Sequence, residues 1–179
     1  MLCSRRITHL AFAVLAVLGS AAAVSAQTPA HPEDAALDQQ IATIAAAHKG
    51  HVALFAENLR TGQTASLSPD LPVQTASVIK MGILLDAAEQ IRAGQAKFDE
   101  RLVLTKTNQV PGSGVLTAPI ALTLRDTLTL MVVLSDNTAT NMAIDRLGLA
   151  HINATLRAAG LHNTVLYKKV YLPPSGPMP

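Results

Sequence analysis

Residues 77–94 read SVIKMGILLDAAEQIRAG, and the rest of the chain is understood outward from them. Val78, Ile79, Met81, Ile83, Leu84, Leu85, Ala87, Ala88 and Ile91 make a helix that is apolar almost all round, the pattern of a helix buried on several sides. Gly94 follows as a C-terminal stop. Ser77 opens the helix and Lys80 is three residues on, so their side chains share a face, with Cβ atoms roughly 5–6 Å apart. A serine needs a base to become a nucleophile, and a lysine whose pKa falls through burial can be that base. A buried amine in an apolar helix is costly unless it is used. The S-x-x-K spacing also arises by chance, although it occurs only once here.

A second motif, Ser135-Asp136-Asn137, follows Lys80 after 54 intervening residues. Taken alone it reads better as helix capping than as a functional motif, since Ser, Asp and Asn are all good N-caps. In this order and together, the two motifs are two of the three parts of a known serine-acylation site.

Local patterns fill in the rest. Asp34 to His48 has helical spacing at Leu37, Ile41, Ile44 and Ala45, with Asp34 and Asp38 in the first turn, where they complement the helix dipole. His51–Glu57 and Gln63–Leu67 read as two strands of a hairpin about a turn at 58–62. Residues 105–121, with Pro111, Gly112, Gly114 and Pro119, read as a long loop. Thr123 and Asp126 form a capping box for a helix that breaks at Ser135. Another helix starts near Asn137 or Thr138 and stops at Gly148, and a last one runs from about His151 to Ala159. The 173–179 stretch, PPSGPMP, reads as loop.

Residues 1–26 read as an export signal: Arg5-Arg6, the apolar run Leu10 to Leu18, then Val24-Ser25-Ala26 as a small-x-small cleavage site. The run is short for a membrane span, so no stable membrane anchor is expected, and the protein is expected in the periplasm or outside the cell. Residues 27–179 then read as the N-terminal, incomplete part of a single folded domain. Removing Arg5 and Arg6 from the 14 basic residues leaves 12 against 12 acidic ones. That balance, with 3% aromatic residues and no Trp, argues against a nucleic-acid partner. The lone Cys3 lies in the signal, so no disulfide is expected. The histidines lack neighbouring Cys or Glu and read as surface residues rather than zinc ligands. Tyr167, Lys168, Lys169 and Tyr171 read as a solvated loop, with substrate contact as the other reading.

From Asp34 to Leu166 the chain resembles class A β-lactamases and, more distantly, penicillin-binding proteins. The resemblance rests on SVIK at 77–80, the Pro111-Gly-Ser-Gly-Val115 loop and SDNTATN at 135–141. It implies an α/β (α+β) fold of the β-lactamase/DD-peptidase type: a mainly helical lobe plus the first hairpin of an antiparallel sheet. It implies Ser77 as the acylated nucleophile, its backbone N–H as half of an oxyanion hole, and Lys80 as a base or a base's partner. Ser135 would relay a proton to the leaving lactam nitrogen and Asn137 would bind the amide of the substrate's acyl side chain, while Asp136 ties its loop to neighbouring backbone. The implied partner is a small-molecule β-lactam bound by a monomer, with no metal and no organic cofactor.

Two departures accompany the resemblance. The family's deacylating glutamate is expected in a loop after the 151–159 helix, where this chain reads Leu166-Tyr-Lys-Lys-Val-Tyr-Leu-Pro. The third motif, a Lys-Thr/Ser-Gly strand, does not follow before Pro179, so the sequence reads as the N-terminal part of a longer enzyme. Three functions remain open on these residues: a β-lactam hydrolase, an acyl-trapping penicillin-binding protein, and a catalytically inactive remnant.

Overall fold

The computed structural model describes residues 33–106, 108–117 and 119–173. The expected signal segment and the end of the chain from 174 lie outside them. The described residues divide into two compact units, split between Pro72 and Val73.

In the first unit, helix α1 (Ala35–Ala45) packs against a hairpin of strands β1 (Leu54–Glu57) and β2 (Thr64–Leu67). The strands pair antiparallel, with Leu54 opposite Leu67 and Glu57 opposite Thr64. Asp34 is the N-cap of α1 and accepts from the Leu37 N–H at 3.0 Å. Asp38 accepts the Ser66 N–H at 2.7 Å, which ties the helix to the hairpin. The expected helix and hairpin are therefore both present, with the first strand starting at Leu54 rather than His51.

The second unit opens with a single 3-10 turn, Ala76–Val78, that runs into α2 (Ile79–Arg92). Strands β3 (Arg101–Val103) and β4 (Ala121–Thr123) pair antiparallel, and α3 (Leu124–Val133), α4 (Asn137–Leu147) and α5 (Leu149–Ala158) follow. The capping box is present: Thr123 Oγ1 accepts the Asp126 N–H at 3.0 Å and Asp126 takes the Thr123 hydroxyl at 2.6 Å and its N–H at 3.4 Å. Those bonds hold the Asp126 carboxyl below the usual carboxylate range. The 105–121 loop ends one residue earlier than expected, because Ala121 is already paired with Val103.

The core gathers Ile79, Ile83 and Ala87 of α2, Leu124, Leu128 and Met131 of α3, Ala139, Ala143, Ile144 and Leu147 of α4, and Ile152 and Leu156 of α5. Here α2 departs from expectation. Lys80 is buried, as expected, but so are Asp86 and Gln90, whereas Met81 is 60% exposed and the adjoining Val78 is 70% exposed. The most enclosed helix is instead α4, although its sequence is the more polar. Its polar side chains go inside because backbone groups of neighbouring segments need them. Thr138 bonds both the N–H and the C=O of Val110, and Thr140 bonds the Asp136 C=O.

The α2–α5 contact is polar at its centre. The fully buried Asp86 carboxylate meets His151 Nδ1 at 2.6 Å, the Thr155 hydroxyl, and Gln90 Nε2 at 2.9 Å. Gln90 also donates to the Leu147 C=O at 2.9 Å. His151 stays at the surface as expected, its side chain 47% exposed, and there partners a buried acid. Arg146 of α4 pairs with Glu100 through Nε–Oε1 at 2.6 Å and Nη2–Oε2 at 2.9 Å, which fixes α4 against the segment entering β3.

Candidate active site

The 3-10 turn that carries Ser77 begins at Ala76 with φ of 45°, and Ser135 itself sits at φ of 53°. Both are left-handed backbones that L side chains adopt only under constraint. At Ala76 the bend lifts Ser77 onto an exposed corner directly before α2. At Ser135 it ends α3 and turns the chain into α4, with Asp136 as the N-cap.

Those two bends bring the four motif residues together. Ser77 Oγ lies 2.9 Å from Ser135 Oγ. Lys80 Nζ lies 2.7 Å from Ser135 Oγ, 2.7 Å from the Ser135 C=O and 3.2 Å from Asn137 Oδ1. The connection from Ser77 to Lys80 therefore runs through Ser135, rather than directly along the shared helix face. Lys80 is 4% exposed, and burial pushes its ammonium below the ordinary lysine range, an effect partly offset by the nearby Asp136 carboxylate. An accessible hydroxyl joined by a second hydroxyl to a buried, weakened ammonium is an arrangement that can move a proton.

The 111–115 loop folds over the SDN turn. Asp136, 1% exposed, accepts the N–H groups of Val115 at 2.7 Å and Leu116 at 3.2 Å through Oδ2, and that of Ala139 at 2.8 Å through Oδ1. Three backbone donors on one buried carboxylate give it a structural task. Asn137 donates its backbone N–H to the Ser113 C=O at 2.9 Å and its Nδ2 to the Pro111 C=O at 3.3 Å. With Oδ1 engaged by Lys80, one Nδ2 hydrogen of Asn137 is left for a ligand.

The 166–171 segment is not simply solvated loop. Asn153 bonds both backbone groups of Leu166, at 2.8 and 2.9 Å, and Asn141 bonds both of Val170, at 2.7 and 3.0 Å. Lys169 pairs with Asp145 at 2.8 Å. Tyr171 comes to rest against Gly112. Asn141 was visible within SDNTATN, but nothing in the sequence alone connects it to Val170. We expect Asn141→Ala to cost about 2–3 kcal/mol, because both Val170 backbone groups lose their buried partner. A urea titration measures the loss, and faster amide exchange at Val170 than at Leu166 locates it.

A separate concavity of about 280 Å³ is lined by Arg101, Leu102, Val103, Asn108, Met142, Asp145 and Arg146 and includes none of the motif residues. Among the described residues, no three His, Cys, Asp or Glu side chains stand where they could hold a metal ion.

Comparison with known proteins accords with this geometry. A model of the β-lactamase enzyme family matches residues 36–175. The solved structure of PBP-A is 30% identical with a TM-score of 0.74, over 80% of this chain and 56% of that one. A mutant of PBP-A, solved as an acyl-enzyme complex with penicillin G, is 31% identical with a TM-score of 0.73, over 79% of this chain and 56% of that one. A β-lactamase from Sphaerobacter thermophilus DSM 20745 is 32% identical with a TM-score of 0.69, over 78% and 54% of the two chains. An ancestral class A β-lactamase is 25% identical with a TM-score of 0.67, over 74% and 52%. None of the curated proteins matches the chain. The α+β fold is thus of the class A serine β-lactamase type. The chain belongs to the β-lactamase enzyme family and spans a little over half the length of the solved relatives.

Proposed function

We propose that this protein is acylated at Ser77 by β-lactams, as a serine hydrolase of the class A β-lactamase kind. The observation that carries the reading is the Ser77–Ser135–Lys80 chain, with contacts of 2.9 and 2.7 Å between an exposed hydroxyl and a buried amine. With Lys80 neutral, its lone pair accepts the Ser135 proton while Ser135 takes that of Ser77. Ser77 Oγ then bonds to the lactam carbonyl carbon, and the Ser77 N–H at the helix start supports the developing oxyanion. The lactam C–N bond breaks, and the proton held on Lys80 returns through Ser135 to the leaving nitrogen. The spare Asn137 Nδ2 hydrogen is available to the carbonyl of the substrate's acyl amide. Water added across the Ser77 ester would release the ring-opened acid and regenerate the hydroxyl.

A second reading, an acyl trap with little turnover, is favoured by the segment beside the site. It brings Tyr171 against Gly112 beside the site, and no Asp or Glu occurs from Arg146 to Pro179. A chromogenic cephalosporin tests both readings. We expect a burst of one equivalent per protein followed by a slow steady state. Linear consumption without a burst would contradict the trap, and no consumption would contradict both. Residues 1–26 direct export in this account, with the mature protein starting at Gln27 and found in the periplasm or medium; the mass of its N-terminal peptide checks the cleavage.

A further inference from the structure

Four described non-glycine residues have left-handed backbone, and three of them adjoin this site: Ala76, Ser135 and Tyr171, the last with φ of 57°. Ala76 and Ser135 set the nucleophile and its relay, but Tyr171 has no part in the acylation chemistry above. Its constraint is nonetheless of the same kind, since the preceding residue, Val170, is fastened at both backbone groups by the fully buried Asn141.

The constraint fixes where the phenol goes. A Cβ built on Gly112 would lie 2.9 Å from Tyr171 Cε2, 3.0 Å from the Tyr171 hydroxyl and 2.7 Å from Asn137 Nδ2. The edge of the ring and the Asn137 amide therefore converge on one point of the 111–115 loop. The room they share exists only because residue 112 has no side chain and tolerates φ of 90°. Tyr171 is still 63% exposed. An aromatic ring held at one edge, open over the rest, and adjacent to an amide with a hydrogen to give is a surface for a second aromatic group joined to an amide.

We propose that Tyr171 is a specificity-determining residue: it forms the aromatic wall of the subsite that takes the acyl side chain of a β-lactam, and it favours arylacyl amides. The inference rests on the acylation reading and deepens it. An aryl side chain whose amide reaches Asn137 lies along the phenol, whereas a β-lactam nucleus with no acyl group touches neither.

The test compares acylation rate constants for benzylpenicillin and for 6-aminopenicillanic acid, which has the same nucleus and no acyl side chain. We expect the ratio of the two to fall roughly 3- to 10-fold in Tyr171→Ala and to be kept in Tyr171→Phe. Tyr171→Leu, which keeps bulk without a π-face, should lower the ratio as Ala does, and it serves if the alanine variant folds poorly. An unchanged ratio in the Ala and Leu variants, or an equal fall in Tyr171→Phe, would overturn the proposal while leaving Ser77 acylation intact. If neither compound acylates the unmodified protein, the acylation reading fails and this one falls with it.

Discussion

Lys80→Met is expected to lower the rate of the proposed Ser77 acylation by about 10²–10⁴-fold, the usual contribution of a positioned acid–base group. Methionine fills a similar volume but cannot accept the proton that Ser135 would take from Ser77 in the proposed relay, so the expected loss is chemical rather than one of packing. The pH dependence separates the two. In the proposed relay Lys80 works as a base only when neutral, so acylation is expected to rise with pH through its pKa and then level. Burial has moved that pKa below the ordinary lysine value, so the rise lies at lower pH than an exposed lysine would give. In Lys80→Met the rise disappears. Stability changes in the corresponding sense. Between the lowered folded pKa and the ordinary unfolded one, the unfolded chain binds more protons, so the protein gains stability as pH rises through that window. The methionine variant lacks that slope. Stopped-flow acylation and urea titrations across the same pH range read both effects.

Gly114→Ala has the largest expected effect on the fold. A Cβ at residue 114 would sit 2.3 Å from Asp136 Oδ2 and 2.4 Å from its Cγ, inside the carboxylate that holds Val115, Leu116 and Ala139. Residue 114 also has φ of 140°, which L side chains rarely adopt. The loop must lift away, and it takes with it two partly buried hydrogen bonds to a charged acceptor. Bonds of that kind contribute roughly 1.5–3 kcal/mol each, so we expect a loss of about 3–5 kcal/mol. Acylation suffers as well, since the loop supplies the Ser113 and Pro111 carbonyls that orient Asn137. A calorimetric transition unchanged within about 1 kcal/mol would show that Asp136 is not the fastening point described here.

What the sequence revealed was local. Helix α1, the β1–β2 hairpin, the Thr123–Asp126 capping box and the start of α4 are written in caps, turn residues and short-range periodicity, and each lies within a few residues of its expected place. Strands β3 and β4 were not legible, because three residues such as Arg101–Val103 become a strand only through pairing with Ala121–Thr123 across a long loop. Burial along α2 ran against hydropathy: Lys80 and Asp86 are inside because Ser135, Gln90, His151 and Thr155 satisfy them, while Val78 and Met81 are outside.

At the site, the motifs named Ser77, Lys80, Ser135 and Asn137 as residues that meet. The sequence alone did not reveal that Ser135 stands between Ser77 and Lys80. That follows from left-handed backbone at Ser135, a conformation no propensity favours for serine. The place of Tyr171 was equally hidden, because it depends on Asn141 reaching Val170 across 29 residues.

The most direct measurement is the intact mass of the purified protein after incubation with benzylpenicillin, beside Ser77→Ala treated identically. The account predicts a single adduct of one penicillin, carried by the peptide that contains Ser77 and absent from the alanine variant. No adduct on the folded protein, or an adduct that persists in Ser77→Ala, would contradict it.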